Sequence, residues 1–135
     1  MNKTTVYLML FLVSLIGATG NILLKKGTSK FGEIKPTHLM RLDFLLQYTF
    51  TPLIITAMIA FFAGRILIGS PLSVLGTSQT TIAIAVGTQT LTLLLDTITL
   101  GQRYTQRTYL GVLIGIISLI LVTDPQMVQL HANNG

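Results

Sequence analysis

The chain of 135 residues contains no cysteine and no tryptophan, and it carries only four acidic side chains. Without cysteine there is no disulfide framework and no thiolate to ligate a metal or attack a substrate. The two histidines, His38 and His131, stand far apart with no ligand spacing, so no metal site is expected. Charged residues make up 10% of the chain, against about a quarter in an ordinary soluble domain. No acid, base and nucleophile fall together in the sequence, so neither enzymatic catalysis nor a cofactor is expected. The net charge of +5 raises nucleic acid as a partner. Basic residues in a chain this apolar more often mark cytoplasmic loops, and no nucleic acid is expected.

What the chain has is oil in long blocks. Half of its residues are hydrophobic and the mean hydropathy is +0.71. An uncharged run over 5–24, "TVYLMLFLVSLIGATGNILL", is long enough to cross about 30 Å of hydrocarbon at 1.5 Å per residue. It is too long, and followed too soon by lysines, for a cleaved signal peptide. A polar, basic segment follows, and His38 to Phe50 suits a short interfacial helix or an early start to the second span. Thr51-Pro52 reads as N-cap and first helical residue of a span over 52–69, with "GSPLS" as a tight connection. A third span is expected over 73–100 and a fourth over 108–123, stopped by Asp124-Pro125. The expected architecture is an all-α, integral membrane four-helix bundle over 1–124, with a polar tail over 125–135.

Lys25, Lys26, Lys30, Lys35, Arg41, Arg103 and Arg107 fall in the first and third loops, while the opposite side holds Lys3 and Arg65. By the positive-inside rule the basic loops are cytoplasmic and both termini lie outside the cell (inner) membrane.

The third span, "TSQTTIAIAVGTQTLTLLLDTIT", is hydrophobic yet rich in threonine. At about 100° per residue, Thr77, Ser78, Thr81, Ala85, Thr88, Gln89, Thr92, Asp96 and Thr99 share a sector of roughly 120°. Gln79, Thr80, Thr90 and Thr97 fall outside it. Unpaired polar groups facing lipid cost several kcal/mol each, so this stripe must face other helices or water. It either holds the bundle together or lines a polar cavity, and the number of polar groups favours the cavity. Ser14, Gly17, Ala18, Asn21 and Lys25 give the first span a matching small, polar face. Substrate-cavity candidates are therefore Ser14, Gly17, Asn21, Arg65, Thr88, Gln89 and Thr92.

The segments "LIGATGNILLKKG", "FTPLIITAMIAFFAGRILIGSPLSVLG", "LLLDTITLGQRYT" and "YLGVLIGIISLILV" occur in that order over most of the chain. Together they resemble the drug/metabolite transporter superfamily, in particular its four-helix members related to small multidrug resistance proteins and EamA-type half domains. The resemblance implies a small membrane transporter with two related subunits. Small multidrug proteins carry a glutamate in the first helix, three residues before the glycine that aligns with Gly17; here that place is Ser14. Proton-coupled drug export therefore does not carry over. Relatives without that glutamate include subunits proposed to flip lipid-linked sugars.

Two charges lie nearest hydrocarbon depth. Asp96, near the cytoplasmic end of the third span, is expected to pair with Arg103 or Arg107, or else to act as a proton site. Arg65, near the outer end of the second, either snorkels to headgroups or holds a phosphate bidentately. Gly111 and Gly115 form a GxxxG that permits close contact between helices, and in the resembled family the fourth helix joins two subunits. A homodimer, or a heterodimer with a related four-helix chain, is expected among membrane lipid. The leading function is a transporter or flippase subunit for a small polar or lipid-linked substrate. The alternatives are a multidrug-type exporter and a non-transporting subunit of a larger complex.

Overall fold

A computed structural model of the chain describes residues 2–122; the expected stop at Asp124-Pro125 and the tail over 125–135 lie outside them. Every regular element among the described residues is helical. α1 spans Lys3–Ser29, α2 Pro36–Leu39, α3 Leu42–Thr49, α4 Pro52–Leu67, α5 Gly69–Val74, α6 Thr77–Leu100 and α7 Gln106–Val122. Three stretches are long and apolar enough to cross a membrane: Lys3–Ser29, Pro52–Val74 and Thr77–Leu100. The described part of α7 is a shorter apolar helix.

α1 is the centre of the fold, with α4 on one side and α6 on the other, and α7 packs on α6. Val6, Leu10, Val13, Ala18 and Ile22 of α1 are buried, against Ile54 and Ala57 of α4 and Ala83 and Leu93 of α6. Many other large side chains point outward: Phe11, Ile59, Phe62, Ile66, Ile98, Ile120 and Leu121 are all exposed. Small residues such as Ala18, Ala57 and Ala83 stand among the buried ones, as expected where helices, lacking a hydrophobic drive toward one another, associate by close backbone approach.

Several boundaries differ from the sequence-based expectation, each for a local reason. α1 runs five residues past Leu24 because Lys25 and Lys26 extend from the helix instead of ending it. Between His38 and Phe50 the end of α2 is followed by α3, a short helix separate from the second span as the first of the two expected alternatives had it, and tied to the residues just after α1 through Phe31, Phe44 and Tyr48, whose ring centroids lie 5.6–6.0 Å apart. Pro52 does occupy the first turn of α4, but the Thr51 hydroxyl donates to the Gln47 carbonyl at 3.0 Å and does not cap the helix. The "GSPLS" connection is helical. Ile68 keeps right-handed helical angles, and α5 continues α4 across a break where Pro71 supplies no N–H.

Candidate functional site

The site begins with a shared period. On α1, Gly17, Asn21 and Lys25 recur every four residues; on α6, Thr88, Thr92 and Asp96 do the same. The two helices run parallel, so these positions meet in pairs. A Cβ on Gly17 would lie 3.2 Å from the Thr88 Oγ1. One turn on, the Asn21 Nδ2 donates to the Thr92 Oγ1 at 3.2 Å. One turn further, the Lys25 ammonium reaches both Asp96 carboxylate oxygens, at 3.2 and 3.1 Å. The approach is close because glycine sits where it is needed. A Cβ on Gly87 would fall 2.5 Å from the Ser14 Oγ, too near for any real side chain.

The loop after α6 completes the lower end. Gly101 takes a φ of 63°, a left-handed conformation that glycine adopts at little cost, and its N–H bonds the Asp96 carbonyl. The chain thereby turns back over the end of the helix. The Tyr104 hydroxyl donates to the Asp96 carboxylate, and Lys25 donates to the Gln102 Oε1 at 2.8 Å. Asp96 is buried, 4% exposed, and is held from two elements. Accepting the bond from Tyr104 keeps the carboxylate close, and that bond pushes the Tyr104 phenol above its ordinary range, so it stays a donor at neutral pH. The expected partners Arg103 and Arg107 do not pair with Asp96. Arg103 lies in the loop after α6 and Arg107 in the first turn of α7, whereas Lys25 is already in register with Asp96 across the α1–α6 contact.

At the other end of α6 the stripe parts from α1. Thr77, Thr80, Thr81 and Thr88 line a cleft of about 480 Å³ between α1, α4 and α6, together with Gly17, Phe61, Gly64 and Arg65. The remaining walls, among them Val13, Leu72 and Ile84, are apolar. Thr81 back-bonds to the carbonyl four residues before it, at 2.8 Å, as Thr90 and Thr97 do at 2.9 and 2.8 Å. Thr80 does not. It is 1% exposed and its Oγ1 has no hydrogen-bond partner.

The structure thus distributes the candidates among four places. Gly17, Arg65 and Thr88 line the cleft; Asn21 and Thr92 bond to each other below it. Ser14 is buried against Gly87 and borders a separate, largely apolar cavity of about 370 Å³ between α1, α6 and α7. Gln89, a 100° step around the helix from Thr88, faces a groove of about 340 Å³ toward α7 with Thr108, Gly111 and Gly115. A Cβ on Gly115 would lie 3.6 Å from the Val86 side chain of α6, an ordinary contact, and one on Gly111 would meet nothing within 4 Å, so among the described residues the two glycines do not act together as a close helix contact. No group of three or more metal-ligating side chains occurs among the described residues.

Of the four residues that the sequence analysis left outside the stripe, Thr80 is the one that lines the cleft. The signal for it lay in the cleft's breadth: a helix crossing a neighbour presents a face that drifts around its axis, and a straight 120° sector misses the far end.

No family model matches the chain, and no curated protein or solved structure matches it.

Proposed function

We propose that the chain is a four-span subunit of the drug/metabolite transporter type that moves a small polar or lipid-linked substrate across the cell membrane by alternating access. The three long apolar helices, the apolar α7 and the bulky exposed side chains on their outer faces support insertion in a bilayer. With the basic loops in the cytoplasm, the Arg65 end of the cleft faces outward and the Lys25–Asp96 end faces in.

One observation carries the reading. The polar stripe of α6 is divided into a half bonded to α1 and a half lining a cleft. A bundle sealed at one end and open at the other is one state of a two-state carrier; the second state requires Asn21–Thr92 and Lys25–Asp96 to part while the outer helices close. Multidrug export has less support, because Ser14 brings no carboxylate to the first helix and Asp96 is already held by Lys25 and Tyr104.

A partner chain belongs to this reading. α7 buries none of its described residues, and Gly111 stands open. These features support docking of a second four-helix chain there. The one-sided distribution of lysine and arginine favours a related chain of opposite orientation over an antiparallel homodimer.

The test uses the cysteine-free background. In Thr88→Cys, an impermeant maleimide applied to sealed vesicles is expected to label the thiol from the outer face and, more slowly, from the cytoplasmic face. Labelling from one face only, under every condition, contradicts alternating access and leaves a non-transporting subunit as the better reading.

A further inference from the structure

The chain between α1 and α4 is held at one height. A Cβ on Gly27, in the last turn of α1, would lie 2.7 Å from the Ile54 Cγ1 in the first turn of α4, so the first helix ends level with the start of the next. α3 closes at Thr49, just before Pro52 opens the second apolar stretch, and so stays near that level. Its roll is fixed as well. Phe31, just past α1, meets the Phe44 and Tyr48 rings at centroid distances of 5.6 and 5.7 Å. Phe44 and Tyr48 stand one turn apart and turn a single face of α3 inward.

The opposite face has no partner among the described residues. By the helical period it carries Leu42, Leu45 and Leu46, with Phe50 just past the helix. All four are exposed, Leu42 and Phe50 by 70% and 69%, and α3 buries none of its residues. Charge around it is mainly of one sign. Lys26, Lys30, Lys35 and Arg41 are exposed on this connection and the end of α1, against Glu33 and Asp43. The salt bridge among the described residues is Lys25 with Asp96, so none of these four cations is paired with a carboxylate.

Exposed apolar side chains beside unpaired cations, at the level where two apolar helices end, match the edge of a bilayer with anionic headgroups. A second copy of the chain would bring the same cations to the face and be repelled. We propose that α3 is a docking surface for anionic phospholipid, with Leu42, Leu46 and Phe50 among the acyl chains and Lys30, Lys35 and Arg41 at the headgroups. The sequence admits an interfacial helix; the structure adds the face turned to lipid and the charge that selects it. The inference rests on the bilayer insertion proposed above and not on transport.

The full chain is reconstituted in phosphatidylcholine vesicles containing phosphatidylglycerol, with spin labels placed singly at 46, 47 and 62. Oxygen, which concentrates in lipid, is expected to outweigh a nickel chelate at 46, and the chelate to outweigh oxygen at 47. Position 62, exposed on α4, reports insertion itself and is expected to favour oxygen. Around the unlabelled chain, spin-labelled phosphatidylglycerol is expected to be enriched over spin-labelled phosphatidylcholine. Arg41→Gln lowers that enrichment by about 2- to 5-fold, the upper figure matching about 1 kcal/mol per basic residue at an anionic surface. Arg41→Lys, which keeps the charge, preserves it. The combined Lys30→Gln, Lys35→Gln and Arg41→Gln chain loses it, as does the parent in about 1 M salt, where the Debye length falls to about 3 Å. The chelate prevailing at 46 while oxygen prevails at 62 overturns the surface. So does shielding of 46 from both reagents, which means that protein covers the face, or full enrichment around a triple variant that elutes like the parent. The chelate prevailing at 62 removes the insertion and the surface with it. One-sided labelling at position 88 leaves all these readouts in place, so failure of transport and failure of the surface are distinct.

Discussion

The two halves of α6 carry the same kinds of side chain and use them in opposite ways. At Thr92 and Asp96 the polar groups on the α1 side have partners in register, and just above them the helices approach through Gly17 and Gly87. Near the other end the Thr81 hydroxyl bonds to its own helix, the Thr80 hydroxyl has no partner, and a cleft separates this part of α6 from α4. Threonine in an apolar helix therefore does not by itself mean cavity or glue. What decides is whether the facing helix presents a partner at the same spacing, and α1 does so only below Gly17.

That contrast can be broken most forcefully at its charged end. Lys25→Met leaves the Asp96 carboxylate buried with Tyr104 as its remaining partner. The expected cost is about 3 kcal/mol, the lower end for breaking a buried pair because Lys25 is itself partly exposed. Unfolding in mixed micelles measures it, and the double variant with Asp96→Asn is expected to recover most of the loss. If Lys25→Met unfolds like the parent, Asp96 is not held by this pair.

A smaller effect is expected from the contact at Gly87. Adding a methyl there places it 2.5 Å from the Ser14 Oγ, and Gly87→Ala is expected to destabilise by about 1–2 kcal/mol through overpacking. Removing the obstruction, as Ser14→Gly in the same chain, should restore stability. Failure of that rescue would mean the helices do not meet at this point.

The finest comparison sets two threonines against each other. Thr92→Val removes the partner of Asn21 and is expected to cost about 1 kcal/mol. Thr81→Val removes only a bond to its own helix, and stability should stay within about 0.5 kcal/mol of the parent. Equal losses at both positions would erase the distinction between the sealed and the open half.

The sequence carried the helices well, because length and apolarity alone set where an oily segment can run. Pro52 and Gly101 marked their boundaries through chain geometry that each imposes locally. The pairing of Asp96 was also within reach, and was missed by looking to the nearest arginines along the chain. Asn21 with Lys25 and Thr92 with Asp96 share one four-residue period, and two parallel helices in that register bring a lysine to the aspartate. Other features were not legible. Nothing in the composition of "GSPLS" distinguishes a tight turn from a helix that runs on past a proline. The separation of Gln89 from Thr88 depends on which side α7 packs, and the burial of Thr80 on how the helices cross. Both are set by tertiary contacts.

The most direct measurement places spin labels singly at 81 and 92 and compares their collision rates with a water-soluble nickel chelate and with oxygen, which concentrates in lipid. The account predicts that the chelate dominates at 81 and that neither reagent reaches 92. Oxygen dominating at 81, or free access of the chelate to 92 in the parent chain, would contradict it.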